Sequence, residues 1–450
     1  MIDVQQLAAI VGDSHVVTDS DLMVGHTTDW TGRFCGPAVA VVRPGTVEEV
    51  AAVLRACHAA GQPVFPHGGV TGLVGAVPSS AGPAPVVLVT TRLKRLREVD
   101  QALGQVQVGA GATLAAVQAH ARAAGWEYGV DIAARDSATI GGTIATNAGG
   151  IRVCAFGMTR AQVVGLEAVL ADGTVLSHLT GLPKDNTGYD LAGLFVGSEG
   201  TLGVITAATL RLHRPVGPTT LALVAVADYR QAQALVAGAV PVGSRLLAAE
   251  VMDRAGTEVV CAVAGLPMPM PEVPWRHLLL IEVSGEQIAL PDDAEALLAA
   301  DCADAARIWT YRERQSEAAA LLVDSDDPTR VIQKLDISVP AAAMQRFSDE
   351  LAQLLAAQPV VTAHSVFGHI ADGNLHVEIA GPTVEDDSVT TLVLRLVAAH
   401  GGSISAEHGI GQAKAAFLEL SRSPAEIATM RAIKAALDPD GLMAPGVIFR

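Results

Sequence analysis

The chain has 450 residues, of which half are apolar and 17% are charged, and its formal net charge is −17 at pH 7. This length predicts two or three domains, and this composition is typical of well-buried globular domains. The negative charge argues against nucleic acids and anionic membrane surfaces as partners. No stretch reaches the roughly eighteen uninterrupted apolar residues of a membrane-spanning helix, and the N-terminus lacks a basic region with a cleavage pattern. We therefore expect a cytoplasmic protein that is not integral to a membrane.

The first part of the chain alternates predicted strands and helices. The apolar run "PAVAVVRP" predicts a strand, and Thr46 with Glu49 forms a capping box that begins a helix, which Gly61 closes. The glycine-rich stretch "PVFPHGGVTGLVGAVPSS" predicts a loop. The alternation continues through "QVQVGAGATLAAVQAHARAAG" to about residue 214.

The motif "RLHRPVGPTT" predicts a boundary between two domains. Residues 1–214 form the first predicted domain and residues 215–424 the second, which has its own α+β pattern. In the second domain we expect strands at "TLALVAVA", "HLLLIEVSG" and "SVFGH…NLHVEIA". Residues 425–450 are too few for a domain and are expected to pack onto an earlier one. The predicted fold class is therefore α+β.

The five cysteines are widely scattered and include no C-x-x-C pair. This argues against a disulfide framework, a cysteine zinc site and an iron–sulfur cluster of the usual spacing. We expect the cysteines to be small residues of the core.

Three glycine-rich stretches differ in what they predict. "VQVGAGATLAAV" imitates a dinucleotide fingerprint, but Leu114 stands where the third glycine belongs, so we expect a simple turn between a strand and a helix. "PHGGVTGLVG" and "SATIGGTIATNAGG" combine glycine pairs with threonines and an asparagine. Uncovered backbone N–H groups of such loops can bind a pyrophosphate, although tight turns without a ligand explain the glycines about equally well.

Two histidines bracket a turn in "HSVFGHIADGNLHVE". If Asp372 and Gly373 form a two-residue type I′ loop, His369 lies directly opposite His376. Their Cβ atoms would then be about 4.5–5.5 Å apart, so that both imidazoles could reach one metal ion. A catalytic zinc site needs a third ligand. Without a third ligand, a polar hairpin with hydrogen-bonded histidines explains this sequence equally well.

Six motifs in a fixed order carry a resemblance to a known family. The chain resembles the FAD-linked 2-hydroxyacid dehydrogenases of the vanillyl-alcohol-oxidase superfamily, and most of all the D-2-hydroxyglutarate dehydrogenase group, beside the D-lactate and glycolate enzymes. The resemblance extends from about residue 27 to the C-terminus. The motifs are "PHGGVTGLVGA", "IGGTIATNAGGIRVCAFGMTR", "GLPKDNTGYDLAGLFVGSEGTLGVIT", "FGHIADGNLHV", "GSISAEHGIGQAK" and "LDPDGLMAPG".

This resemblance implies a fold and a cofactor. Residues up to about 214 and the C-terminal segment would form a two-part PCMH-type FAD-binding domain, and the middle region an α+β, ferredoxin-like substrate cap. Matching motifs imply a cradle for the FAD pyrophosphate at Pro66, Gly68, Gly69, Thr71 and Gly72. They imply further contacts to FAD at Ser137, Gly142, Thr146, Asn147, Gly149, Gly203, Val204 and Ile205.

Two departures from the family pattern bear on FAD. Val70 stands where covalently flavinylated relatives carry a histidine, so the resemblance implies non-covalent FAD. Ala444 replaces an asparagine that is usual in relatives, which removes one polar contact to the flavin.

The resemblance also implies a reaction. His369, His376 and Glu407 would bind Zn²⁺ or a similar divalent ion, and His408 would accept the hydroxyl proton of a bound 2-hydroxy acid. A histidine suits this task because its unperturbed pKa lies near neutrality. Hydride would leave C2 for flavin N5, which yields the 2-oxo acid.

The resemblance implies that Arg312, Ser316, Lys334 and His408 bind substrate. The first three stand at positions where residues of the relatives bind substrate carboxylates. Glu378 replaces a substrate-contacting asparagine of the hydroxyglutarate group. Strand alternation places Glu378 on the face of His376, where it would oppose a dianionic substrate unless it were protonated or paired with Lys334 or Arg312.

Several alternatives remain open at this point. The substrate could be D-2-hydroxyglutarate, which is favoured, or D-lactate or glycolate. A zinc hydrolase built on His369, His376 and Glu407 would need no flavin, and a non-catalytic flavin-binding subunit would bind FAD without being reduced by substrate. The sequence contains no iron–sulfur ligands and no nicotinamide fingerprint, so we expect a separate electron acceptor, either a carrier protein or a quinone. Family habit suggests a homodimer.

Overall fold

The computed structural model describes residues 2–80, 82–322, 327 and 329–450. In the described part, the strands are β1 (Val16–Val17), β2 (Ala40–Val42), β3 (Val64–His67), β4 (Val86–Val89), β5 (Gln105–Gly109), β6 (Val163–Val169), β7 (Val175–His178), β8 (Val204–Arg211), β9 (Thr219–Val226), β10 (Leu246–Asp253), β11 (His277–Ser284), β12 (Ala296–Leu298), β13 (Gln333–Ser338), β14 (Ala363–His369) and β15 (Asn374–Ala380).

The α-helices of the same residues are α1 (Val4–Val11), α2 (Ser20–Thr27), α3 (Val47–Ala59), α4 (Leu114–Ala123), α5 (Ile140–Thr146), α6 (Val153–Phe156), α7 (Thr159–Gln162), α8 (Leu191–Phe195), α9 (Tyr229–Ala239), α10 (Arg254–Ala264), α11 (Cys302–Glu313), α12 (Gln315–Ala318), α13 (Met344–Ala356), α14 (Ser388–Ala399) and α15 (Pro424–Leu437). The α+β fold class is confirmed.

Contacts between residues divide the chain into two compact units. The first unit contains residues 1–150, 156–215 and 407–450, and the second contains residues 151–155 and 216–406. The first boundary lies one residue from the sequence-based one. The chain returns to the first unit at residue 407, whereas the sequence suggested residue 425. The return comes earlier because the backbone after residue 409 is hydrogen-bonded within the first unit. There the Glu199 carboxylate accepts hydrogen bonds from the Ile410 and Gly411 N–H groups.

The described residues of the first unit form two sheets, each with its own core. One has the strand order β1-β2-β4-β3, and β4 runs parallel to both β2 and β3. Helix α3 packs Val50, Val53 and Leu54 into the core of this sheet. Its N-cap is Thr46, whose side chain accepts from the Glu49 N–H, which is one half of the predicted capping box; the Glu49 carboxylate accepts from the Gly45 N–H instead of from Thr46.

The second sheet of the first unit is antiparallel, with the order β5-β8-β6-β7. The imitation dinucleotide motif lies here, between β5 and α4. Because β5 pairs antiparallel with β8, the motif does not belong to a parallel βαβ unit, and the prediction of a simple turn is confirmed. A methyl group at Gly109 would come within 2.1 Å of the Leu93 carbonyl oxygen, so this glycine serves close backbone packing.

The second unit is built on a seven-stranded sheet, with the order β12-β9-β11-β10-β14-β15-β13, and every pairing is antiparallel. All four strand segments predicted for this region are present. Alternate residues of each strand point to opposite faces. On one face, Leu280, Met252 and Phe367 pack with Ile308 and Tyr311 of α11. The same face carries the polar residues described below.

The cysteines are only partly as predicted. Cys57 and Cys261 are buried, but Cys35, Cys154 and Cys302 are exposed, and all five are free thiols. Composition alone could not distinguish the two groups, since cysteine fits small buried sites and loops alike. Among the described residues, no helix has the length and apolar character needed to cross a membrane.

Candidate active site

In the first unit, the two glycine-rich loops predicted to bind a pyrophosphate lie against each other. Gly68 and Gly69 follow β3, and a methyl group at these positions would come within 2.0 Å of Thr139 Oγ1 and 1.9 Å of the Ser137 carbonyl oxygen, respectively. No side chain fits in so little space. The contact between the loops therefore requires glycine at both positions.

Other glycines of the same loops leave the backbone uncovered. A methyl group at Gly72 would meet nothing within 4 Å, and at Gly142 it would meet only Thr139 Oγ1, at 3.3 Å. Gly142 lies in the first turn of α5, whose N-cap is Thr139. A cradle with closely packed glycines on one side and open backbone on the other fits a phosphate group, so these residues fit FAD.

The remaining residues of the predicted cradle take defined places. Pro66 lies in β3, and Thr71 in the loop that follows it. Thr146 ends α5 and donates to the Gly142 carbonyl oxygen, and Asn147 has a left-handed backbone (φ 50°). Gly149 follows in the next loop. Gly203 directly precedes β8, which begins with Val204 and Ile205, and Val204 pairs with Val169 of β6.

Val70 has a backbone conformation that its side chain disfavours. Its φ is 53°, in the left-handed region that β-branched residues rarely adopt. Conformations of this kind cost about 1–3 kcal/mol and concentrate at ligand-binding loops. The backbone of Val70 therefore indicates that neighbouring residues fix the conformation of the loop after β3.

Glu407 and His408 also belong to the first unit. Glu407 Oε2 accepts a hydrogen bond of 2.6 Å from the Gly150 N–H, and the ligand atoms of Glu407 and His408 lie within 4.8 Å of each other. The backbone that follows His408 is held by Glu199. The Glu199 carboxylate accepts from the Ile410 N–H at 2.8 Å and from the Gly411 N–H at 2.7 Å. Burial raises the pKa of Glu199 to about 7, although both backbone hydrogen bonds act in the opposite direction.

In the second unit, the predicted pairing of the two histidines is wrong by two residues. His369 pairs with Asn374, and His376 pairs with Phe367. His369 and His376 are therefore diagonal neighbours on one face rather than direct partners. Their ring centroids are nevertheless 5.5 Å apart, so the hairpin does bring both imidazoles together.

The register differs because the turn is longer than two residues. A type I′ turn needs positive φ at both central residues, and of Asp372 and Gly373 only Gly373 has it (φ 82°). The Ile370 N–H bonds to the Ala249 carbonyl oxygen of β10, which removes Ile370 from the hairpin ladder. Asp372 Oδ1 accepts from the Asn374 N–H at 3.2 Å, which is the turn role predicted for it.

Asp336 is a buried carboxylate beside His376 that the sequence did not single out. It pairs with His376 across β13 and β15, and its Oδ1 lies 3.7 Å from His376 Nδ1. Asn374 Nδ2 donates to Oδ1 at 2.8 Å, and the Ala406 N–H donates to Oδ2 at 3.1 Å. Asp336 and His376 thus offer two metal-ligating atoms within 4.8 Å of each other.

Glu250 is a second buried carboxylate that the sequence did not reveal. It lies in β10 opposite His369, and its Oε1 is 2.6 Å from His369 Nδ1. Its Oε2 accepts a hydrogen bond of 2.5 Å from Arg312 Nε. Arg312 also lies over the ring of Phe367, at 4.8 Å from the centroid.

The residues predicted to bind substrate carboxylates differ in their surroundings. Arg312 is buried, whereas Ser316 is exposed and contacts Lys334 through its backbone oxygen, which accepts from Lys334 Nζ at 3.0 Å. Lys334 pairs with Glu378 across β13 and β15, with Nζ 3.0 Å from Glu378 Oε2. Arg314 is different: it forms an ion pair with Glu317 three residues later, at 2.9 Å, where both side chains contact solvent.

The second unit therefore places half of the eight predicted metal and substrate residues on one sheet face, namely His369, His376, Lys334 and Glu378. Strand pairing puts Glu250, His369, His376 and Glu378 on that face, together with Lys334 and Asp336. Asp336 could have been found by alternation, since it stands two residues from Lys334 in "KLDIS". Glu250 could not, because its partners lie far away in the sequence.

Comparisons with known proteins identify the family of the chain. Residues 218–448 match the family described as FAD linked oxidases, C-terminal domain, and residues 38–178 match the FAD binding domain. D-2-hydroxyglutarate dehydrogenase of Xanthomonas citri pv. viticola is 37% identical, over 94% of this chain and 91% of the relative. Mitochondrial D-2-hydroxyglutarate dehydrogenase of Bos taurus is 34% identical, over 99% of this chain and 83% of the relative.

A solved structure of p-cresol methylhydroxylase with substrate bound is similar in fold. It matches 98% of this chain and 95% of its own, with a TM-score of 0.75 and 17% identity. At this identity the likeness concerns the fold alone. The chain belongs to the FAD-linked oxidase family with a PCMH-type FAD-binding fold, as its six ordered motifs predicted.

Proposed function

We propose that the protein is an FAD-dependent dehydrogenase that oxidises a D-2-hydroxy acid to the 2-oxo acid, with D-2-hydroxyglutarate as the favoured substrate. One observation carries the proposal: the same chain holds a glycine cradle open to a phosphate and a polar sheet face with cations, imidazoles and carboxylates. The relatives from Xanthomonas citri and Bos taurus, both named D-2-hydroxyglutarate dehydrogenases, support the substrate. D-Lactate and glycolate are the alternatives within the same reaction class.

The residues of the cradle would hold FAD through backbone N–H groups. Gly68 and Gly69 keep the two loops in contact, and Gly72 and Gly142 offer open backbone. Val70 carries no nucleophile for a bond to the flavin, so we propose that FAD is bound non-covalently. Acid precipitation should then release the yellow cofactor into the supernatant.

A divalent ion, zinc or a similar metal, would be held by His369, His376 and Glu407, with Asp336 as a further ligand or an orienting carboxylate. Imidazole and carboxylate groups are ligands that catalytic zinc accepts. When bound, the ion would lower the pKa of the substrate hydroxyl and FAD would accept the hydride.

The protein's own residues then have distinct tasks. His408 would accept the hydroxyl proton, a role for which imidazole is suited near neutral pH. Arg312 would bind a substrate carboxylate with the terminal nitrogens of its guanidinium, since Nε already donates to Glu250. Lys334 would serve a second carboxylate, in competition with Glu378.

Three properties of the whole protein remain predictions. We infer that electrons leave to a separate carrier protein or quinone. A homodimer stays a prediction from family habit. The cytoplasmic location also stays a prediction, and the name of the Bos taurus relative assigns that protein to mitochondria.

Anaerobic titration of the purified protein with D- and L-2-hydroxy acids tests the proposal. The flavin absorbance should bleach with D-acids and not with L-acids, and treatment with a chelator should slow the bleaching. A preparation without a flavin spectrum would favour the zinc hydrolase. A flavin spectrum that no hydroxy acid changes would favour the non-catalytic subunit, and bleaching indifferent to the chelator would refute the metal assignment.

A further inference from the structure

Glu250 joins two residues to which the proposed function gives different tasks. Its side chain is 1% exposed and lies in the middle strand of the seven-stranded sheet. One carboxylate oxygen contacts His369, a proposed metal ligand, at 2.6 Å. The other contacts Arg312, a proposed ligand of the substrate carboxylate, at 2.5 Å.

The contact with His369 determines which ring nitrogen can bind a metal. A carboxylate is a hydrogen-bond acceptor, so the proton of the neutral imidazole lies on Nδ1. Nε2 then carries the lone pair that a metal needs. A carboxylate behind a metal-binding histidine also makes the imidazole a stronger ligand.

The contact with Arg312 fixes the direction of its guanidinium. Glu250 takes the Nε–H, which leaves the four N–H bonds of the terminal nitrogens for other acceptors. The ring of Phe367 supports the guanidinium from one side, at 4.8 Å, and the same ring lies 5.0 Å from the ring of His376. Arg312 is therefore held on two sides and presents the edge that binds carboxylates bidentately.

Stability alone does not require this arrangement. A buried ion pair is often no more stabilising than apolar residues of similar volume. If Glu250 served only to pair with one cation, its second carboxylate oxygen could accept a hydrogen bond from any donor. In Glu250 each oxygen instead serves a different residue, and the two residues come from β14 and α11.

We propose that Glu250 is a positioning residue that sets the tautomer of His369 and the orientation of Arg312, and thereby couples the binding of the divalent ion to the binding of the substrate carboxylate. This inference rests on the proposed function. It predicts that one substitution weakens two kinds of binding at once.

The variant Glu250→Gln tests the proposal with little change in shape. Its amide has one accepting oxygen and one donating nitrogen. If the oxygen accepts from Arg312 Nε–H, the nitrogen faces His369 Nδ1 and requires the Nε2–H tautomer, and if the oxygen accepts from His369, the nitrogen faces the donating Nε–H of Arg312. The dissociation constant of Zn²⁺, measured by competition with a chelator, should rise about 10–100-fold. With Zn²⁺ saturating, the dissociation constant of 2-oxoglutarate, read from the flavin spectrum, should rise about tenfold or more.

Glu282→Gln is the matched control. Glu282 lies on the same sheet face, is similarly buried, and forms an ion pair of 2.9 Å with Arg152. The control loses a buried carboxylate without touching His369 or Arg312. Both dissociation constants should stay within about twofold of the wild-type values.

NMR of zinc-free protein labelled with ¹⁵N-histidine gives a readout that a merely structural role would not change. In the wild type, the proton of His369 should lie on Nδ1; in Glu250→Gln the Nε2–H tautomer should appear. Assignment would use His369→Gln. Wild-type values for both dissociation constants in a folded Glu250→Gln variant would overturn the proposal, as would an unchanged tautomer.

If Glu250→Gln does not fold, Arg312→Lys tests the same coupling. A lysine lacks the guanidinium Nε–H that Glu250 accepts, so the Glu250 carboxylate is no longer held in the position from which it contacts His369. Zn²⁺ affinity should therefore fall, although Arg312 is not one of the proposed metal ligands. Unchanged Zn²⁺ affinity would overturn the coupling. Failure of the proposed function is separable, because wild-type flavin that no hydroxy acid bleaches would leave the zinc and tautomer measurements intact.

Discussion

At the scale of single residues, the ion pair of Lys334 and Glu378 bears most directly on substrate choice. The two side chains face each other across β13 and β15, and Glu378 is 3% exposed. The cation that would neutralise a second substrate carboxylate is thus already neutralised by the protein. A dianionic acid has to compete with Glu378 for Lys334, whereas a monocarboxylic acid does not.

Glu378→Asn should therefore favour dicarboxylates. We expect KM for D-2-hydroxyglutarate to fall about tenfold, because a released lysine gains an ionic hydrogen bond worth about 1.5–3 kcal/mol, while KM for D-lactate changes little. The measurement is steady-state kinetics with both acids. Glu317→Gln, which breaks the solvent-contacting pair with Arg314, is the control; equal effects on both acids in Glu378→Asn would remove Glu378 from the pocket.

The same substitution has a cost in stability. Removing one partner of a buried ion pair leaves an uncompensated charge and destabilises by about 3–5 kcal/mol. A dicarboxylate that binds Lys334 should restore part of this loss. Thermal unfolding of Glu378→Asn with and without 2-oxoglutarate should show a larger ligand-induced rise than in the wild type.

His67 gives the first unit a pH-dependent stability. Burial, and to a lesser extent the neighbouring His26, lower the pKa of His67 to about 4. The unfolded value is about 6.5, so the stability it contributes is complete above pH 6.5 and is lost as pH falls toward 4. Between pH 7 and pH 5 this loss amounts to about 2 kcal/mol.

The variant His67→Gln isolates this contribution. Because the glutamine side chain does not titrate, the free energy of unfolding in urea should fall less between pH 7 and pH 5 than in the wild type, by about 2 kcal/mol. His178→Gln is the control, since His178 is exposed in β7. Equal pH dependence in wild type and His67→Gln would contradict the assigned shift.

At the scale of elements, the hairpin shows what the sequence could and could not predict. Alternation identified both strands and the face shared by the two histidines. The register was wrong because the hydrogen bond from the Ile370 N–H to the Ala249 carbonyl oxygen is a tertiary contact. Glu250 escaped prediction for the same reason: Arg312 and His369 lie 62 and 119 residues away from it in the chain.

The segment that follows Glu407 and His408 is the second informative element. The sequence assigned residues 407–424 to the cap, whereas the structure groups them with the first unit. Gln412 donates to the carbonyl oxygens of Gly75 and Val77, at 2.6 and 2.7 Å, in addition to the Glu199 contacts. The spacing of the glycines predicts a segment with tight turns, but it does not predict which residues form hydrogen bonds with that segment.

Glu199→Ala should loosen this segment. The Ile410 and Gly411 N–H groups would lose their acceptors, and each buried donor left unpaired costs about 1–3 kcal/mol. Because these groups follow His408 closely, we expect kcat to fall at least about tenfold, with a smaller change in KM. Steady-state kinetics and thermal unfolding of the same sample would measure both effects.

Glu167→Ala provides the comparison for that experiment. Glu167 also accepts two hydrogen bonds, from Ser177 and Thr206, but in the sheet of β6 and β8. It should lose stability without a comparable loss of kcat. If Glu199→Ala kept the wild-type kcat, anchoring by Glu199 would not matter for the reaction.

At the scale of the whole molecule, the family, the α+β class and the cofactor followed from the ordered motifs, because glycine loops and short polar motifs are local features of the sequence. The buried ion pairs of the second unit did not, because a folded sheet assembles them from four distant strands and a helix. The protein thus combines a cradle visible in the sequence with a polar sheet face that only the fold brings together.

The most direct test of the central claim is the rate of anaerobic flavin reduction by D-2-hydroxyglutarate that carries either hydrogen or deuterium at C2. We predict that the flavin is fully reduced and that deuterium slows the reduction, since the C2–H bond breaks as hydride leaves. The L-enantiomer should leave the flavin oxidised. A flavin that stays oxidised with every D-2-hydroxy acid, or that is reduced equally fast by both enantiomers, would contradict the account.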